Sequence, residues 1–308
     1  MPAHEASVAR PVRTPADIVR LVRHLPSAPR ILPPLKRLLR DGNSALVDIV
    51  ALVRLDPGLS ARVLQVANSP FFYTGACCLT VDDAIARVGY DEIYGLISHA
   101  VAVQVLNRPL AVYRMGADEL WARSVACALA AQMLATRAGD DQAIAYTLGL
   151  LHGIGMIAID EWALHSGYPI ALHLADFPDE ATADERRHLG FTQADAGAAL
   201  LQDWDFPREM IEPIREQYLA APTFVFPRLS SLLVAAKWVR SAVLATVPTE
   251  RPPIPPARLL RPLGLSPADL RSLVPAVEAE LARVRGVLEA ADDVFIDRQF
   301  FPSQVWRG

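Results

Sequence analysis

Cysteine is scarce: Cys77, Cys78 and Cys127 are the only three in 308 residues. An odd, low count argues against a disulfide framework and for a reducing compartment. Cys77 and Cys78 are adjacent, but no CxxC and no second cluster supports a redox or metal pair. Lysine is almost missing, with Lys36 and Lys237 the only two among 30 basic residues. Aromatic residues make up 7% and the net charge is −4, so nothing global demands nucleic acid as a partner. Residues 1–14 lack the apolar core of a signal peptide. The longest uncharged apolar run, AIAYTLGLLHGIGMIAI at 143–159, carries three glycines and a histidine and is short for a membrane span. It reads as a buried helix followed by a turn, and the expectation is a cytoplasmic protein with no membrane span. Several signatures of catalysis are also absent: the Walker loop, GxGxxG, GxSxG, HExxH and Zn-spaced Cys/His sets. His99, His165, His173 and His188 read as structural or solvated.

What is present is helical. The chain is 52% hydrophobic, and Leu and Ala, both helix formers, supply most of that fraction. In SALVDIVALVRL, Leu46, Ile49, Val50 and Val53 recur at spacings of three and four. Asp56-Pro57-Gly58 breaks the chain and places Pro57 in the first turn of the next helix. Asn68-Ser69-Pro70 ends that helix. Thr80-Val81-Asp82-Asp83 caps another, which Gly89 closes. Further helices are expected over 91–106, 117–138, 141–151, 180–202, 207–219, 227–244 and 267–291, with Pro275 kinking or splitting the last. The stretch 247–262 contains six prolines and reads as a loop. No alternating strand pattern of useful length occurs. The fold class is therefore all-α, a helical bundle of two packed subdomains. The expected divisions are a flexible 1–14, a first subdomain 15–108, a second 109–290 that includes the proline-rich loop, and an aromatic tail 291–308. The first 40 residues hold eight Arg/Lys against Glu5 and Asp17, a net +6 that leaves −10 for the rest. That reads as a solvated basic face, with contact to nucleic acid or an anionic membrane as the weaker alternative.

The informative segment is LGLLHGIGM at 148–156. A helix ending in His-Asp followed by Ile-Gly resembles the heart of the HD metal-dependent phosphohydrolases, where the adjacent pair binds metal. Here His152 is followed by Gly153, which offers no ligand. The resemblance widens elsewhere. LPSAPRILPPLKRLLRDGNSALVDIVALVRLDPGLSARVLQVANSPFF and LTVDDAIARVGYDEIYGL resemble the first half of an HDOD domain. WARSVACALAAQMLA, LGLLHGIGM and LGFTQADAGAALLQDWDFPREMIEPIREQY follow in the order of its second half. The resemblance covers roughly 15–290 and implies an HD-like fold whose metal site can be audited by position. Arg123 stands where the first metal histidine would fall. His152 is retained and Gly153 replaces the aspartate. Met156 takes the place of a basic residue and Gln193 of a histidine. Gln217 or Tyr218 falls where another histidine would end its helix, and Ala236-Lys237 where a late aspartate would stand. A divalent transition metal needs three or four N, O⁻ or S⁻ donors in one place. One histidine remains, and Arg123 and Lys237 bring charge of the wrong sign.

The resemblance implies a non-catalytic signalling or scaffold module without a metal or other cofactor, acting through signalling proteins and linked to second-messenger, motility or stress regulation. His152 is expected to be buried with its ring bonded to a backbone carbonyl, and Gly149, Gly153 and Gly155 to serve helix packing and a turn. Two alternatives stay open: a sensor binding a nucleotide or other anion in the vestigial pocket through Arg123 and Lys237, and a residual phosphodiesterase using His152 as acid or base.

Overall fold

The computed structural model describes residues 14–20, 46–89, 109–173, 182–219, 224–245 and 252–293, with Val22, Leu38 and Ile93 as single positions. The expected helix over 91–106, His99, most of the basic N-terminal stretch and most of the aromatic tail lie outside the described residues. Among those described the chain is helical, with one isolated bridge between Leu110 and Met115 as the only extended pairing.

A short helix α1 (Pro15–Val19) is followed by α2 (Leu46–Val53), α3 (Pro57–Ala67) and α4 (Val81–Val88). The residues between them do what their chemistry suggests. Asp56 is fully buried and its carboxylate accepts from Leu59 N–H at 2.8 Å, capping α3 with Pro57 at its first position. Asn68 closes α3 and clamps the following loop, accepting from Cys78 N–H at 2.7 Å and donating to Cys78 C=O at 3.0 Å. Cys78 is thereby a buried structural residue, and it and Cys77 are free thiols. The Thr80 hydroxyl accepts from Asp83 N–H at the start of α4.

The second part is built on α5 (Ala117–Ala138), which ends at Gly139 in the left-handed conformation. Helix α6 (Gln142–Leu151), capped by Asp141, packs against α5. Its alanine-rich partner allows a very close approach: a Cβ on Gly149 would lie 2.7 Å from the Cys127 carbonyl oxygen. A two-residue turn at His152-Gly153 leads into α7 (Ile154–Ser166). The apolar run therefore breaks into two helices, and most of it is buried inside the bundle.

Helices α8 (Ala183–Leu189) and α9 (Gln193–Asp203) follow. One continuous helix over 180–202 was expected, and the structure corrects this. Gly190 has a φ of 81°, and Thr192 and Asp195 form a reciprocal capping box that restarts the chain. Then come α10 (Arg208–Glu216), α11 (Pro227–Leu244), α12 (Ala257–Leu260) with a 3₁₀ turn (Arg261–Leu263), and α13 (Pro267–Asp293). The proline-rich stretch thus ends in helix rather than loop. Pro275 does not split α13, because it is exposed and the carbonyl it leaves without a helical donor belongs to Arg271, also exposed, where water can satisfy it.

Helix α5 contacts α6, α11 and α13, while α9 contacts α7 and α10. Helix α1 packs on α9 and α7, elements of the second part. A single core runs from Ile18 to Val284, with Trp121, Tyr146 and Trp162 almost completely buried. Tyr146 on α6 joins the two parts, donating its hydroxyl to the Arg54 carbonyl at 3.1 Å.

Candidate functional site

The turn after α6 presents His152 to α10 and α11 while burying it to 1% exposure. Its Nδ1 lies 2.7 Å from the Gly149 carbonyl oxygen and its Nε2 lies 2.7 Å from an Arg240 guanidinium nitrogen. A guanidinium can only donate, so Nε2 accepts and the ring proton resides on Nδ1, pointing at Gly149. His152 is therefore a neutral imidazole with both nitrogens engaged. Burial first, then the charges of Arg240, Lys237 and Arg123, push its pKa well below the ordinary 6.5.

Helix α10 ends at Gln217, whose Nε2 donates to the carbonyls of His152 at 2.9 Å and Ile214 at 3.0 Å. Lys237 on α11 donates to the Gln217 carbonyl at 3.1 Å and sits 3.3 Å from the centroid of the Tyr218 ring, a close cation–π contact. Gln193, at the start of α9, is fully buried and donates to the Tyr218 hydroxyl at 2.6 Å. Its backbone N–H donates to Glu185, which also accepts from the Tyr113 hydroxyl. Arg123 on α5 reaches the same place from the opposite side, with Glu119 as an ion partner at 3.7 Å. Arg123, Gln217, Tyr218, Lys237, Arg240 and Ser241 line one cavity of about 290 Å³, whose remaining wall is mostly apolar and includes the strip 252–256. A more open hollow of about 470 Å³ lies on the other side of Arg123; Arg114, Glu119 and Asp184 give it mixed charge.

The structure thus brings His152, Gln217 and Lys237 into direct hydrogen-bonded sequence, places Arg123 on the cavity that Gln217 and Lys237 line, and joins Gln193 to them through Tyr218. Gly153 and Met156 stand apart in role. Gly153 has an ordinary backbone (φ −98°, ψ 7°), and a Cβ there would meet only the far end of the Met156 side chain, at 2.9 Å. Gly155 differs: its Cβ would fall 1.8 Å from the Gln193 carbonyl oxygen, so it is required for α7 to cross α9. Ala236 is buried and carries no polar group.

Arg240, Glu185 and Tyr113 were not anticipated. Arg240 had a signal: it stands three residues after Lys237 on one face of an otherwise Leu-, Val- and Ala-rich helix, where two cations need a reason. Glu185 and Tyr113 meet across 72 residues of sequence and had none.

A divalent cation of the HD type does not fit these residues. Gly153 supplies no ligand, the side-chain amides of Gln193 and Gln217 are weak donors, and the Nε2 lone pair of His152 is directed at a guanidinium. Three cationic side chains face the same volume. Among the described residues no group of three or more His, Cys, Asp or Glu is placed to hold a metal.

Comparison with known proteins agrees with the geometry. Residues 25–220 match the HDOD domain family. An uncharacterized protein of Treponema pallidum is 28% identical over 236 residues, covering 73% of this chain; the chain spans 44% of that relative's length. Among solved structures, the MmoQ response regulator from Methylococcus capsulatus aligns with a TM-score of 0.65 at 23% identity, covering 82% of this chain and 99% of that one. A virulence factor from Campylobacter jejuni aligns at 0.54 and 16% identity, covering 74% and 82%. These likenesses establish the fold, and the match over most of the chain shows that this protein belongs to the HDOD domain family.

Proposed function

We propose that this chain is a non-catalytic, cytoplasmic signalling module that acts by binding other proteins. The observation carrying the proposal is the Arg240 guanidinium on His152 Nε2, at 2.7 Å. A buried imidazole engaged on both nitrogens and facing net positive charge is a poor general base and a poor metal ligand. Without a metal-activated water, phosphodiester hydrolysis loses its nucleophile and its Lewis acid. The signalling part of the reading is supported by the family and by the response regulator that shares the fold. The loop after α3 offers an apolar contact surface, with Phe71 87% and Tyr73 52% exposed.

The expected result is no turnover of bis(p-nitrophenyl) phosphate or of cyclic dinucleotides by the purified protein, with or without added Mn²⁺. Metal-stimulated hydrolysis that disappears in His152→Ala would reverse the proposal.

A further inference from the structure

Four of the five residues in the 252–256 strip are prolines, flanking Ile254. Proline has no N–H and a fixed φ, so the strip is stiff and poor in donors. Trp238 on α11 holds one end, donating its indole N–H to the Pro252 carbonyl at 2.9 Å, and α12 continues from the other. A stiff wall fixed at both ends keeps the cavity of about 290 Å³ preformed. Val234, Trp238, Leu259, Ile254 and the prolines make most of its lining apolar.

The cations on the lining are already engaged by the protein. Arg123 faces Glu119 at 3.7 Å, Lys237 holds the Gln217 carbonyl and the Tyr218 ring, and Arg240 donates to His152 Nε2 and to the Ser241 hydroxyl oxygen. An anion would compete with these partners and shed its hydration among prolines and aliphatic side chains. Ser241 differs. It is 5% exposed, lines the cavity and accepts from Arg240, while its own hydroxyl hydrogen has no acceptor among the described residues. An occupant that accepts one hydrogen bond and is otherwise apolar matches this lining.

Size narrows the class. Water finds few polar partners along such a wall, and an apolar cavity of about 150 Å³ holds a benzene ring. About 290 Å³ admits a fused two-ring system. We propose that this cavity binds an uncharged, largely apolar molecule of two fused rings that carries a carbonyl or similar acceptor. The rings lie among Val234, Trp238, Ile254 and Leu259, and the acceptor takes the hydrogen bond from Ser241. Occupancy ties the strip and α12 to α11, which gives a signalling module an input. Binding of an uncharged ring is independent of metal chemistry, so this site and the non-catalytic reading fail separately.

The test is fluorescence titration of the full chain with 6-propionyl-2-dimethylaminonaphthalene, an uncharged two-ring ketone whose emission moves to the blue when it leaves water. Saturable one-to-one binding with a blue shift is expected, displaced more tightly by 2-acetylnaphthalene than by the similarly shaped anion 2-naphthoate. Val234→Trp, which fills the cavity from a half-buried position, is expected to weaken probe binding by about tenfold or more, and Ser241→Ala by about threefold or more. Phe71→Ser, which removes an exposed ring outside the lining, is expected to leave it unchanged. If Val234→Trp fails to fold, Ile254→Trp, at a half-buried position on the strip, decides in its place. Absence of a saturable blue shift with the folded wild type overturns the inference. So does displacement by 2-naphthoate as tight as by the ketone, binding unchanged in the folded cavity-filling or Ser241→Ala variants, or binding lost in Phe71→Ser.

Discussion

Gly155→Ala should destabilise the protein by about 3 kcal/mol or more, enough to lose the folded state, while Gly153→Ala should stay within about 0.5 kcal/mol of wild type. The two glycines lie two residues apart, one in the turn and one in the first turn of α7, and look alike in sequence, yet their surroundings differ. At 155 the added carbon would stand 1.8 Å from the Gln193 carbonyl oxygen and 2.7 Å from Gly197 N. Both are backbone atoms of α9, so no rotamer change relieves the clash and the helices must separate. At 153 the nearest atom is a terminal methyl of Met156, which can swing aside, and the backbone is one any residue adopts. Chemical denaturation of the two variants measures both effects. Equal losses would mean that Gly153 is also held by packing. The contrast bears on function, because it separates steric from chemical reasons for the missing carboxylate. The turn has room for the first carbon of a side chain at 153, so the absence of a ligand there is a matter of chemistry.

The second large effect is on pH dependence. Glu185 is fully buried, and desolvation raises its pKa from 4.5 to about 7 despite hydrogen bonds from Gln193 N–H and the Tyr113 hydroxyl, which oppose the rise. The folded state therefore holds a proton that the unfolded chain releases above about 4.5. Stability from this group is fully present below pH 4.5 and is lost as pH rises through about 7, by up to about 3 kcal/mol. His152 works in the opposite direction. Its folded pKa lies below 6.5, so its contribution is present above 6.5 and lost as pH falls beneath it. Above pH 6.5 the carboxyl acts alone. Most of the loss falls between pH 4.5 and 7, so wild type should lose the last part of it, about 1 kcal/mol, between pH 6.5 and 8, and Glu185→Gln, which stays neutral and can keep both partners, should flatten that slope. Urea denaturation of the two proteins across this range measures it. Parallel curves would mean that Glu185 is ionised at neutral pH in the folded protein.

Much of this was legible in the sequence. The 3–4 periodicity placed α5, α6 and α11 almost to the residue, because each is long, apolar on its buried side and bounded by a cap or a break at Asp141, Gly139 or Pro227. The burial of His152 and its bond to a backbone carbonyl were also expected from the apolar helix that carries it. What failed was local or long-range. The split at Gly190 depended on a left-handed residue inside a pattern that otherwise reads as one helix. The passage of α13 through Pro275 depended on which face of the helix meets water, which periodicity alone does not fix. The HD pattern ends at Lys237, one turn short of Arg240, the residue that touches His152, so the resemblance does not point to it. The Tyr113–Glu185 contact joins a connector to a short helix 72 residues later, and no local rule predicts it.

One substitution of chemistry is central: a guanidinium faces His152 Nε2. Elemental analysis for Mn, Fe, Zn and Mg on protein purified without chelator tests that directly, with His152→Ala alongside. The expected result is far less than one equivalent of any of these metals, the same in both proteins. Near-stoichiometric metal in the wild type that is lost from His152→Ala would contradict it and reopen the search for a phosphoester substrate.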